Sequence, residues 1–77
     1  MKTVYIKYVL TIDGMRCGSC EAHVNNLIRK KYSFIKKVKS SARKNRTIIL
    51  SKDPIDMNEL KTYIDETGYI VQGVTIE

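Results

Sequence analysis

The sequence predicts an α+β fold whose elements follow the order strand, helix, strand, strand, helix, strand. Three observations indicate it: an apolar–polar alternation of period two at the start, a change to helical period after a turn, and a second helical segment with its own start and stop signals. Right-handed crossovers then favour the ferredoxin-like βαββαβ arrangement, a four-stranded antiparallel sheet with two helices on one face. The 77 residues are predicted to form a single domain, residues 1–77.

The first strand and the first helix differ in the spacing of their apolar residues. Alternate residues from Val4 to Ile12 are apolar, which predicts a half-buried strand, and Asp13-Gly14 ends it as a turn. Glu21 near the start of the helix and the basic residues 29–31 at its end match the helix dipole. The apolar stripe of this helix consists of Cys20, Val24, Leu27 and Ile28.

The middle of the chain predicts two more strands. Residues from Phe34 to Ala42 form the second and those from Thr47 to Ser51 the third, joined by the polar turn 43–46. The alternation is irregular here, because Ser40 is small and residues 48–50 are all apolar. The inward face of the third strand is therefore left open.

The second helix has clear signals at both ends. Asp56 is predicted to cap it, Glu59 to complete a capping box, and Gly68 to stop it. Residues from Tyr69 to Ile76 then form the fourth strand, where Gly73 is a candidate bulge. The residues expected to staple the cap and to form the buried stripe are Ile55, Leu60, Tyr63 and Ile64.

Composition indicates an ordinary globular protein, with 43% hydrophobic and 29% charged residues. No apolar run approaches the ~20 residues that span a membrane, and the N-terminus lacks the apolar block of a signal peptide. We therefore expect a cytoplasmic protein without membrane insertion. In a reducing compartment a close cysteine pair indicates a metal or redox site and not a structural disulfide.

The net charge of +6 is concentrated in one part of the chain. Nine lysine and arginine residues lie between positions 29 and 46, and no acidic residue occurs between Glu21 and Asp53. A one-sided basic surface of this kind favours an acidic partner. The alternative is a solvated face that keeps a small protein soluble.

The candidate site is the pair Cys17 and Cys20, between the first strand and the first helix. The helix N-terminus and the neighbouring Arg16 favour the thiolate forms. A structural zinc ion needs about four ligands, whereas this chain offers two cysteines and one histidine. Soft thiolates select Cu(I), so the sequence predicts Cu(I), with Ag(I) or Hg(II) as mimics.

Three residues near the pair are further candidates. Met15 is expected to anchor the loop by packing into the core and not to bind metal. His23 lies on nearly the same helix face as Cys20, and we expect it to be an exposed helix residue and not a third ligand. Tyr69 either lies beside the metal loop or is a strand aromatic with its hydroxyl in water.

Several of these residues together resemble a known family. The segment Gly14-Met15-x-Cys17-x-x-Cys20-x-x-x-Val24, with the later pairs Asp53-Pro54 and Gly68-Tyr69, is similar to the signature of heavy-metal-associated domains. The resemblance covers essentially the whole chain. It is strongest to bacterial copper(I) chaperones of the CopZ type.

The resemblance implies a function and roles for the site residues. Cys17 and Cys20 are then the metal ligands, Met15 a buried loop anchor and Tyr69 a neighbour of the ligands. The implied partner is the acidic metal-binding domain of a copper-transporting ATPase or a copper-responsive repressor, to which Cu(I) passes by thiolate exchange. The protein would be a carrier and not an enzyme.

Other interpretations stay open. The cysteine pair also resembles a thiol–disulfide oxidoreductase motif, and the basic stretch with Tyr32 and Phe34 suits an RNA-binding sheet, although no nucleic-acid partner is expected. A mercury-binding relative or a metal-binding domain of a larger ATPase would share the fold. We expect a monomer without metal, and a metal-bridged dimer is left open.

Overall fold

The computed structural model describes residues 4–16 and 18–77. The predicted order of elements is confirmed: β1 (Ile6–Asp13), α1 (Gly18–Lys31), β2 (Ile35–Ser41), β3 (Arg46–Ser51), α2 (Met57–Asp65) and β4 (Ile70–Ile76). The strands form one antiparallel sheet in the order β2-β3-β1-β4. Both helices cover one face of it, so the ferredoxin-like βαββαβ arrangement is confirmed.

The first strand supplies the centre of the core. Tyr8, Leu10 and Ile12 are buried on the face that the helices cover, as the alternation predicts. Val4 was expected on the same face, but it precedes the strand and is 79% exposed. Tyr8 also accepts the N–H of Ile55 through its hydroxyl at 3.0 Å, which fastens the segment before α2 to the middle of the sheet.

The pairing of β3 decides which of its residues face inward. Thr47, Ile49 and Ser51 are buried, while Ile48 and Leu50 lie half-buried on the opposite face of the sheet. In β2 the register shifts between Ile35 and Lys37, so this strand contains a bulge. The bulge adds Lys36 to β2, whereas β3 alternates regularly between the two faces of the sheet.

The small polar residues of β2 and β3 form a hydrogen-bonded layer inside the core. The hydroxyl of Ser40 donates to Asn25 Oδ1 at 2.7 Å and lies 2.9 Å from Thr47 Oγ1. Ser51 donates to the carbonyl of Asp53 at 2.6 Å. Because each buried hydroxyl has a partner, these positions do not incur the penalty of an unpaired polar group.

The first helix packs on the sheet through the predicted stripe. Val24 and Ile28 are fully buried, and Leu27 is half-buried. Glu21 makes a contact that the sequence did not indicate: its Oε2 accepts the N–H of Ala42 at 2.7 Å. This bond joins the first turn of α1 to the end of β2.

The second helix begins at the predicted cap. The carboxylate of Asp56 accepts the N–H groups of Asn58 and Glu59, as an N-cap does. The side chain of Glu59 was expected to return to the cap, but its Oε1 lies 3.2 Å from Lys31 Nζ and accepts the hydroxyl of Tyr32 at 3.4 Å. Burial, together with the negative charge of Glu59, raises the pKa of Tyr32 to about 12, so this phenol stays protonated as a donor.

The connection from α2 to β4 brings the chain back to the end of β1. Gly68 has φ +101°, a conformation that glycine adopts without strain. Asp65 Oδ1 accepts the N–H of Val71 at 3.3 Å, and the ammonium of Lys61 together with this bond lowers the pKa of the Asp65 carboxyl. The register of β4 shifts opposite Thr11 and Ile12, whose partners are Gly73 and Val71, so the bulge places its extra residue at Gln72, directly before the predicted Gly73.

Candidate metal centre

The loop after β1 is held against the start of β4. Gly14 has φ +107°, and a Cβ built on it would lie 3.1 Å from Cδ1 of Tyr69. A larger residue at this position would therefore be strained and crowded. This close approach places Tyr69 beside the loop, the first of the two roles that the sequence left open.

Met15 anchors the same loop by packing into the hydrophobic core. It is only 5% exposed and belongs to the hydrophobic core together with residues of both helices and the sheet. Its packing is the one expected for a flexible side chain that fills a gap in a core. Arg16, the next residue, is exposed.

Cys20 lies in the first turn of α1, half-buried, with its side chain partly packed against the core. Thiolates near a helix N-terminus are stabilised by the free N–H groups and the helix dipole. Cys17 lies outside the described residues, so its pairing with Cys20 stays a prediction. In residues 4–16 and 18–77 no three His, Cys, Asp or Glu side chains cluster as metal ligands.

His23 and Tyr69 form a contact that the sequence did not predict. Nδ1 of His23 lies at hydrogen-bond distance, 3.0 Å, from the hydroxyl of Tyr69, and the ring centroids are 5.7 Å apart. The two residues are 46 positions apart in the chain, and no local pattern connects them. The expectation that His23 is exposed is confirmed, but it also orients the aromatic ring that covers the loop.

We predict that His23 contributes to the position of Tyr69 and not to metal affinity. An exposed hydrogen bond contributes about 1 kcal/mol or less, so His23→Ala and Tyr69→Phe should each destabilise slightly and should be non-additive in combination. A double-mutant cycle of urea unfolding measures this coupling. A loss of Cu(I) affinity in His23→Ala as large as in a cysteine variant would show instead that His23 is a ligand.

The basic stretch occupies two parts of the molecule. Residues 29–31 end α1, whereas Lys37 and Lys39, on the face of the sheet that the helices leave open, are continued by the turn 42–45 and by Arg46 of β3. Lys39, Lys44 and Arg46 line one depression, so much of the basic surface expected from the sequence lies on one side of the molecule, apart from the end of α1. The turn is the part nearest the candidate site, since the N–H of Ile12 donates to the carbonyl of Asn45 at 2.8 Å.

Solved structures similar to this one include several metal-binding domains. The N-terminal domain of ZntA in its Zn(II) form is similar with a TM-score of 0.75 and 18% identity over 87% of this chain and 89% of that one. The CopZ metallochaperone is similar with a TM-score of 0.70 and 18% identity over 84% and 97%. The yeast copper transporter domain Ccc2a, solved in apo and Cu(I)-loaded states, has a TM-score of 0.70 and 20% identity over 84% and 89%.

The chain therefore has the fold of the heavy-metal-associated domains, as the resemblance implied. No model of a protein family matches the sequence, and a search of the curated proteins gave no significant match. In the described part of the chain, neither helix is long and apolar enough to cross a membrane.

Proposed function

We propose that this protein binds one Cu(I) ion between the thiolates of Cys17 and Cys20 and carries it to a partner as a cytoplasmic copper chaperone. The observation that supports this most is the place of Cys20, in the first turn of α1 beside the loop that Gly14 and Tyr69 hold. Met15 and Tyr69 pack against the core beside this loop, while Cys20 is half-buried.

The choice of metal rests on the number and softness of the donors. The fold does not select the metal, since similar structures include a Zn(II) form and a Cu(I)-loaded form. A closed zinc site needs about four ligands, and this chain has only two cysteines and one histidine. His23 lies against Tyr69. Two thiolates suffice for Cu(I), which soft sulfur ligands prefer.

Delivery by ligand exchange follows from low coordination. A thiolate of the partner binds the ion and one thiolate of this protein leaves. A second partner thiolate then displaces the other, so that the ion keeps two sulfur ligands and no bond within either protein is broken. The partner we propose is an acidic metal-binding domain of a copper-transporting ATPase, or a copper-responsive repressor. Arg43 and Lys44, exposed in the turn beside the end of β1, would attract its carboxylates.

The experiment is an anaerobic titration of the reduced protein with Cu(I) in the presence of a competing chelator, repeated with Zn(II). We expect saturation at about one Cu(I) per chain and removal of Zn(II) by a much weaker chelator, because two sulfurs leave a tetrahedral ion incompletely coordinated. Equal retention of both metals would contradict the choice of copper. Failure to retain either metal, with turnover in an insulin-reduction assay, would instead support the oxidoreductase.

A further inference from the structure

The face of the sheet opposite the helices has no covering element in the described part of the chain. We call this the open face. The strand register places side chains in rows across it, so that Lys37, Leu50 and Lys7 form one row and Lys39, Ile48 and Val9 the next. Its residues on β1, β2 and β3 are Lys7, Val9, Thr11, Asp13, Lys37, Lys39, Ser41, Arg46, Ile48 and Leu50.

The open face contains a groove with an apolar floor and basic walls. Ile48 and Leu50 form its floor, and Lys7, Lys37 and Lys39 surround them, enclosing a volume of about 360 Å³. A second depression of about 190 Å³ shares Lys39 and Ile48 with it, and so the groove extends along β2 and β3. The larger volume is at the lower end of the ~300–1,000 Å³ that ligand sites occupy.

The charges of this groove are largely uncompensated. Lys7 pairs with Glu77 at 3.5 Å at the margin of the face, and Asp13 at its far end accepts the side-chain amide of Gln72 at 2.8 Å. Among the described residues no carboxylate pairs with Lys37 or Lys39. Their ammonium groups therefore attract anions beside an apolar surface. Lysines that only keep a protein soluble would not need an exposed apolar patch next to them.

We propose that the open face binds an extended acidic polypeptide segment of a partner protein, in which pairs of apolar residues alternate with pairs of carboxylate residues, so that each side of the segment carries both. One side of such a segment would place a leucine-sized side chain against Ile48 and Leu50, while its carboxylates pair with Lys37 and Lys39. The larger depression lies toward the start of β1, at the opposite end from the loop that follows Asp13, whereas the smaller one reaches Lys44 and Arg46. The apolar floor of the larger depression is therefore separate from the proposed metal site.

Two other occupants are less suited to this face. A second copy of the chain would bring a net charge of +6 against the same lysines. Nucleic acid is read on such sheets by stacking on strand aromatics, and none of the open-face residues on β1, β2 and β3 is aromatic. Tyr32 and Phe34 lie in the connection between α1 and β2, where Tyr32 is buried.

The test uses two fluorescein-labelled octapeptides with the same four carboxylates, arranged as pairs that alternate with pairs of leucines in one peptide and with pairs of serines in the other. Fluorescence anisotropy at 150 mM salt should show that the leucine peptide binds about tenfold more tightly or better, since apolar contact adds to charge. Amide shifts in ¹H–¹⁵N spectra should map to β2 and β3. Equal affinity for both peptides, or shifts confined to other elements, would overturn the proposal.

Charge variants separate this groove from the net charge of the protein. Lys37→Glu with Lys39→Glu should weaken binding about tenfold or more, whereas Arg29→Glu with Lys30→Glu, the same charge change on exposed α1 positions, should have a much smaller effect. If the double glutamate variant does not fold, the double variant Lys37→Gln with Lys39→Gln replaces it in the binding measurement. Equal weakening by the α1 pair, or tighter binding of poly(U) RNA or phosphatidylserine vesicles than of the leucine peptide, would contradict the proposal. Cu(I) binding should be unchanged in all of these variants.

Discussion

Replacing Cys20 with serine is expected to remove tight Cu(I) binding, because one of only two thiolates is lost. Substituting even an outer partner of a metal ligand costs about 10–100-fold in affinity, so loss of a ligand itself should cost at least a hundredfold. Serine keeps the size of the side chain, and the half-buried position at the start of α1 should tolerate it. Cys17→Ser should have the same effect. Competition with a Cu(I) chelator measures both.

The matched control is Ser19→Ala, an exposed neighbour in the same helical turn. Its Cu(I) affinity should equal that of the unmodified chain, which would show that the loss in Cys20→Ser is due to sulfur and not to a disturbed turn. Thermal melting of each variant checks that the fold persists. Undiminished Cu(I) binding by Cys20→Ser would refute the two-thiolate site and with it the chaperone function.

Replacing Leu60 with alanine is expected to lower the free energy of unfolding by about 2–5 kcal/mol, the largest stability effect we predict. Leu60 is fully buried in α2, in the core that also contains Ile64 and Ile28. The cavity cannot collapse easily, because the surrounding side chains come from both helices and the sheet. Domains of this kind are stable by only about 5–15 kcal/mol, so the variant should melt at a much lower temperature.

Leu50→Ala makes the same chemical change on the open face and is the control. Its side chain is half-buried and borders the groove, so we expect a loss of about 1 kcal/mol or less. Urea unfolding under reducing conditions, fitted with a common slope, compares the two variants. Similar losses in both would contradict the placement of Leu60 in the core and of Leu50 on the uncovered face of the sheet.

The class of fold could be predicted from the sequence because its signals are local. The alternation in β1, the helical stripe of α1 and the Asp56 cap of α2 each depend on residues a few positions apart. The cysteine spacing likewise lies within a few residues, and so the candidate ligands were found without a structure. Their pairing around a metal stays a prediction, since Cys17 lies outside the described residues.

Other features depend on contacts between distant residues, and only the tertiary structure decided them. The inward face of β3 follows from its register with β1, which sets Thr47 opposite Leu10 and Ile49 opposite Tyr8, and the approach of Tyr69 to Gly14 follows from the pairing of β1 with β4. The basic stretch was contiguous in the sequence, but the structure divides it between the end of α1 and the open face with its adjoining turn. Periodicity determines which elements form, whereas register determines which side chains meet, because a shift of one residue exchanges the two faces of a strand.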